Sequence, residues 1–321
     1  MTASRPDWPE GRYLVTGGAG FIGSNLAEAI AASGRPVRVA DNFITGRREN
    51  LAGLDGVLLI EGDLRDPGVC RAAIAGVDYV LHQAALGSVP RSMTDPLATH
   101  SHNATATLNV FWAAQQAGVK RVVYAASSSA YGDTPTLPKE EAMTPRPMSP
   151  YAASKLAGEF YAQVFARSYG LETVSLRYFN VFGRRQDPES QYAAAIPRFV
   201  RKLLAGGRPT IFGDGEQTRD FTYIDNVVEA NRLALLAPKE AVGETCNIAC
   251  GERVTMNELA STLARLIGVA IQPEHAAARP GDIRHSLADI SKAERLLGYR
   301  PQILFAEGLA RTIEWYRQTS R

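Results

Sequence analysis

Residues 12–34 read RYLVTGGAGFIGSNLAEAIAASG, and this stretch decides the fold. Tyr13, Leu14 and Val15 make a short apolar run of the kind that forms a buried strand. Glycines follow at 17, 20 and 23. Ile22, Leu26, Ala29 and Ile30 then recur at helical spacing until Gly34 stops the pattern. A strand, a glycine-rich turn and a helix in that order open a dinucleotide-binding unit. The turn tightens at Gly17, Gly20 lets the backbone approach a pyrophosphate, and Gly23 brings helix and strand close. The helix start at Phe21 and Ile22 offers N–H groups and a positive dipole end to the anion.

The same alternation continues outward. VRVAD (37–41) is a second buried strand, and it ends in Asp41, 18 residues after Gly23. A carboxylate there accepts from both adenosine ribose hydroxyls and repels a 2′-phosphate, so NAD is the expected cofactor rather than NADP. VLLIEGDL (57–64) ends in Asp63, placed to meet an adenine edge. A helix near 67–75, a strand within VDYVLHQAA (77–85), a helix over about 100–117 and the strand in KRVVYAASSSAYG (120–132) follow. Such alternation implies an α/β fold, a doubly wound parallel (Rossmann) sheet with right-handed crossovers. After about residue 180 prolines and loops multiply, with helices expected near 225–237, 256–267 and 306–318. Residues 1–180, together with about 222–240, are read as the NAD-binding domain. Residues 181–321 are read as a smaller, discontinuous C-terminal α/β domain.

Composition narrows the function classes. Across 321 residues, 35 Lys+Arg against 33 Asp+Glu leave a net charge of +2, without the basic excess of a nucleic-acid binder. No apolar run approaches the ~18 residues of a membrane span, and MTASRPDWPEGR lacks the apolar stretch of a secretory signal. Three cysteines cannot form a disulfide framework. A cytoplasmic enzyme is expected. His100 and His102 lack the i, i+4 spacing of a helical metal pair, Cys246 and Cys250 read as buried thiols, and no metal is expected. Arg47 and Arg48 read as solvated surface.

SPYAASK (149–155) opens another helix and sets Tyr151 and Lys155 one turn apart on one face. An ammonium beside a phenol stabilises the phenolate, so the expectation is a tyrosine base active near neutral pH.

Taken together, TGGAGFIG, Asp41, HQAA, ASSSAYG, YAASK and RYFNVFG resemble the extended short-chain dehydrogenases/reductases, and within them the nucleotide-sugar 4-epimerases. The resemblance spans about residues 12–318. It implies Ser127 as the catalytic serine on the sugar 4-hydroxyl, with Ser128 and Ser129 as neighbours able to share that role. It further implies Tyr151 as general base, Lys155 on the nicotinamide ribose, Tyr178 on the cofactor and Asn180 on the substrate. Asn42, Phe43, Thr45 and Gly46 border the adenosine, and Leu64, Gln83, Ala84 and Ala85 complete the cofactor set. Dehydrating relatives carry a carboxylate where this chain has Ser128 and Ser129, so hydride removal and return is expected without loss of water.

The resemblance also assigns the second domain to a UDP-sugar. Arg219 and Arg279 match pyrophosphate-binding arginines, Thr210 and Phe212 the uracil segment, and Asp282 a ribose acceptor. Ser286 stands where glucose-restricted relatives have a tyrosine, leaving room for a 2-acetamido group. Gly87 and Ser88 line the other side of the sugar, and Ala194 the wall near the uridine. Interconversion of UDP-N-acetylglucosamine and UDP-N-acetylgalactosamine is the leading expectation. UDP-glucose or UDP-glucuronate 4-epimerisation stays open, the latter should Arg91, Arg184 or Arg185 point inward. A non-catalytic NAD-binding regulator is the remote alternative. The helices near 103–117 and 151–168 match the dimer helices of relatives and imply a homodimer.

Overall fold

The structure is a computed structural model that describes residues 7–189, 194–278 and 284–319. Seven parallel strands form one sheet in the spatial order 245–248, 172–178, 121–127, 79–82, 13–16, 37–41 and 57–61. Strand order reverses between Tyr13–Thr16 and Tyr79–His82, and a ligand-binding crevice opens at such a switch point. Both faces of the sheet are covered. Tyr13 and Val15 pack into one apolar cluster while Leu14, between them, packs into the other. That explains why the strand reads as a continuous apolar run.

The expected elements appear with small shifts. Helices span Phe21–Ala32, Pro67–Ile74, Ile224–Leu236, Met256–Ile267 and Phe305–Thr319. The long helix expected over 100–117 is different. It begins as Pro96–His100, widens into a π-helical turn at Ser101–Thr105 and resumes as Ala106–Gln116. The turn sends Asn103 into the interior, where it brackets Leu86 through both backbone groups (Leu86 N to Oδ1 2.8 Å, Nδ2 to Leu86 O 3.4 Å) and donates to Ser154 at 3.0 Å.

The helix Pro150–Tyr169 is well specified locally. Ser149 caps it by accepting from the Ala152 N–H at 3.1 Å, Pro150 occupies its first turn, and Gly170 ends it in the left-handed region. Beyond residue 180 the described residues form short two-stranded ladders and five α-helices. The helix Ile224–Leu236, within the 222–240 segment read with the first domain, packs on Phe21–Ala32, and the strand Thr245–Ile248 then joins the large sheet beside Glu172–Tyr178.

Candidate active site

A cleft of about 1020 Å³ runs along the carboxyl edge, from the glycine turn to the strand end at Ser127 and on to Ser286. Gly17 (φ +64°) shapes its floor, because a Cβ there would lie 2.8 Å from the Ala84 nitrogen. Gly20, Phe21, Ile22 and Gly23 line the floor, and the helix they begin has no side-chain cap. Its first N–H groups therefore front the cleft. Asp41 is buried; one carboxylate oxygen accepts from Ala19 N at 2.9 Å and the other from Phe43 N at 2.8 Å. Asn42, Thr45, Gly46, Asp63, Leu64, Gln83, Ala84 and Ala85 continue the lining. The uncapped helix end, the carboxylate at the second strand and the small-residue wall fit a dinucleotide.

Two expected cofactor residues stand apart from this pattern. Phe43 (φ +57°) lies outside the lining, stacked beneath the Arg48 guanidinium at 4.1 Å. Asp63 is clasped by Arg65 at 2.8 Å and by Asn42 at 3.2 Å. The Arg65 hydrogen bonds pull its carboxyl down to about 2.

The catalytic candidates meet at the centre of the cleft. Ser127 bonds to Tyr151 and accepts from Ser129 through its hydroxyl (2.8 Å) and its N–H (3.2 Å). Among the three serines, Ser127 is thus the hub. Lys155 is buried just behind the lining, donates to the Ala125 carbonyl at 2.8 Å and lies over the Tyr124 ring. Burial lowers the lysine to about 7, opposed by Glu159. Burial also raises Tyr151, offset in part by Ser127. The tyrosine lowered by its lysine is therefore not the state of the polypeptide itself. At neutral pH the phenol keeps its proton until a further positive charge arrives beside it.

Tyr178, at the end of the next strand, donates to Gln83 at 3.3 Å and accepts from Asn231 at 2.8 Å, while Gln83 donates to Asn231 at 3.3 Å. That closed triangle locks the fourth strand's end to the helix Ile224–Leu236. Asn231 carries no motif signal, since its role depends on a helix distant in sequence.

On the far side of the cleft stand Gly87, Ser88, Ser128, Asn180, Ala194, Arg219 and Ser286. Asn180 adopts φ +34° and commits its Nδ2 to the Asp220 carbonyl at 3.0 Å. Thr210 and Phe212 are not in the cleft wall; their strand pairs with Glu274–Ala276 instead. Arg279 and Asp282 lie outside the described residues. Arg184 bonds Asp225 at 2.5 Å and Glu28 at 3.2 Å, and Arg185 grips Glu28 at 2.8 and 3.0 Å. Arg47 is not simply solvated: it reaches Asp187 at 2.7 Å, joining the adenosine-side loop to the loop after residue 183. His102, Lys139 and His285 also line the cleft without having been singled out for it.

Fold and cleft together define a dinucleotide-dependent α/β enzyme. Residues 13–249 match the NAD dependent epimerase/dehydratase family, and the chain belongs to it, with NAD as cofactor. It is 37% identical to a UDP-glucose 4-epimerase of Mycolicibacterium smegmatis, over 97% of this chain and 100% of that one. It is 32% identical to a UDP-glucuronate 4-epimerase of Thermodesulfobacterium geofontis, over 96% of this chain and 98% of that one. A solved UDP-N-acetylglucosamine 4-epimerase from Methanobrevibacter ruminantium, in complex with UDP-N-acetylmuramic acid, superposes with a TM-score of 0.92 at 39% identity, covering 97% and 99% of the two chains.

Proposed function

We propose that this chain catalyses reversible C4 epimerisation of a UDP-hexose, with N-acetylated hexoses as the preferred class. The observation that carries the reading is a shared cleft. Ser127 and its neighbour Tyr151 line one continuous cleft with the glycine turn and with Gly87, Ser88, Asn180 and Ser286. Gly17, Gly20, Asp41 and Gln83 would hold NAD, which would supply a reversible hydride acceptor for C4 and a positive ring favouring the Tyr151 phenolate. Tyr151 receives the 4-hydroxyl proton, directly or through Ser127, and gives it back after the keto sugar has turned over. Lys155, buried one turn away, orients the ribose side. Arg219, one of the arginines lining the cleft, is the residue assigned to the diphosphate in this reading.

One feature favours the N-acetylated class. Ser286 leaves space in the wall. Of the three arginines named for a C6 carboxylate, Arg184 and Arg185 are held by Glu28 and Asp225, whereas Arg91 lines the cleft and keeps the uronate alternative open. The test is incubation of the NAD-loaded enzyme with UDP-N-acetylglucosamine, UDP-glucose and UDP-glucuronate, followed by chromatographic identification of epimers. Ser286→Tyr should then abolish turnover of the N-acetylated pair and spare UDP-glucose. Equal loss of both would overturn the steric argument.

The active unit is inferred to be a homodimer. Leu108, Trp112, Phe160, Val164 and Tyr169 stand exposed on the helices Ala106–Gln116 and Pro150–Tyr169, the pair expected to form the interface.

A further inference from the structure

The helices and sheet account for the cofactor floor, but the sugar-nucleotide wall is built from short segments with little regular structure. Such a wall needs an internal tie. Asp220 sits at its centre, fully buried. Its Oδ1 accepts from Cys250 N at 3.0 Å, and its Oδ2 accepts from Gly251 N and Ala288 N, each at 3.1 Å. Its own carbonyl accepts from Asn180 Nδ2 at 3.0 Å. Neither the hydrogen bonds nor the ion pairs among the described residues give its carboxylate a cationic partner; backbone N–H groups hold it. One residue thus joins three stretches far apart in sequence, around 180, 250 and 288.

Each stretch bears on the candidate substrate pocket. Arg219 precedes Asp220 directly. The segment leading to Ala288 runs beside Thr218, which receives Ser286 N at 3.1 Å and donates its own N–H to Arg284 O at 2.9 Å. Asn180, in its left-handed conformation, has its amide nitrogen spent on Asp220, so the oxygen is the end left to turn toward the cleft. We propose that Asp220 is the positioning residue of the substrate wall: it fixes Asn180, Arg219 and the Ser286 segment at their mutual spacing and touches no substrate itself.

The chemistry suits a carboxylate and excludes its amide. Three N–H donors converge on two acceptor oxygens. An asparagine would turn an NH₂ group toward at least one donor, leaving a buried N–H facing another. The same contact can be cut from its other end. Ala288→Pro removes the donor, while the pairing of this segment with Lys139 runs through Leu287 O and Asp289 N and is left in place.

The inference rests on the UDP-hexose reading, and the test separates the two. UDP is titrated calorimetrically into NAD-loaded wild type, Asp220→Asn, Ala288→Pro and the double variant, with bound NAD counted and epimerase kinetics measured on each. UDP binding and KM should weaken about tenfold in either single variant, with kcat changed far less and NAD content unaltered. The double variant should be no worse than the singles, because both remove one tie. Unchanged UDP affinity in both singles, parallel loss of bound NAD, or fully additive effects would overturn the assignment. A wild type that neither binds UDP nor epimerises any UDP-hexose would instead remove the functional reading beneath it.

Discussion

Tyr151 is the residue on which the chemistry turns, and its neighbours set how it can act. With Lys155 itself lowered to about 7 by burial, the phenol depends on Ser127 and on the bound cofactor for its activation. Tyr151→Phe should cut epimerisation by roughly 10²–10⁴-fold and leave NAD bound. A variant that turns over normally would place the base elsewhere. His82 makes a second residue-scale prediction. It is completely buried between Thr16 Oγ1 at 2.6 Å and Thr107 Oγ1 at 2.9 Å. Each ring nitrogen faces one hydroxyl, which can donate or accept, so the neutral imidazole is satisfied in either tautomer. Burial, reinforced by Lys155, lowers its pKa to about 3. The unfolded chain therefore takes up a proton between pH 6.5 and 3 that the folded chain refuses, and stability falls as pH drops through that window. Asp220, raised from 3.8 to about 6 by burial, works in the opposite sense over its own window. The measurement is thus comparative. Urea unfolding of wild type should lose up to about 1.4 kcal/mol per pH unit below 6.5 relative to His82→Gln. Parallel curves would refute it.

At the scale of elements, much was legible and the exceptions have reasons. The glycine turn, Asp41 and the YAASK helix were readable because each motif is local: spacing in sequence maps onto one turn or one face. The π-helical turn at Ser101–Thr105 was not, since no propensity signals it and it is held by contacts to Leu86 and Ser154. Thr210 and Phe212 lie outside the cleft lining, on a strand that pairs with Glu274–Ala276, a partner far away in sequence. Asp63 matched its position yet is taken up by Arg65, two residues on. The helix that carries Tyr151 lies close on the strand Arg121–Ser127 at one point, Gly158. A Cβ there would meet the Tyr124 hydroxyl at 2.2 Å. Gly158→Ala should push the helix outward, costing about 1–3 kcal/mol of stability in chemical denaturation and lowering kcat more than it raises KM. Wild-type stability and rate in that variant would show that the contact yields freely.

For the whole molecule, the charge balance that excluded nucleic acid hides a local arrangement. Arginines 184, 185 and 47 are spent on carboxylates that bind the second half of the chain to the first helix and the adenosine-side loop. Arg219 stands in the cleft. Net charge could not reveal these ties, since they depend on where each guanidinium lies in the fold. The exposed apolar face on the helices Ala106–Gln116 and Pro150–Tyr169 belongs to the same scale. Trp112, 49% exposed, and Phe160, 53% exposed, are its largest members. Replacing both with Asp should convert a dimer to a monomer in sedimentation or light-scattering measurements, with cofactor content preserved. A wild-type monomer at micromolar concentration would dispose of the inferred interface.

The return of Thr245–Ile248 to the large sheet has a consequence for how the protein is made. The strand Glu172–Tyr178 is an open edge until residue 248 has been synthesised. A nascent chain that has released only its first 180 residues exposes that edge and lacks Asn231, the partner that holds Tyr178 and Gln83. The cofactor half is therefore incomplete when residue 180 emerges: it awaits Asn231 and Thr245–Ile248, which follow Arg219 in the chain but precede Ser286 and Ala288.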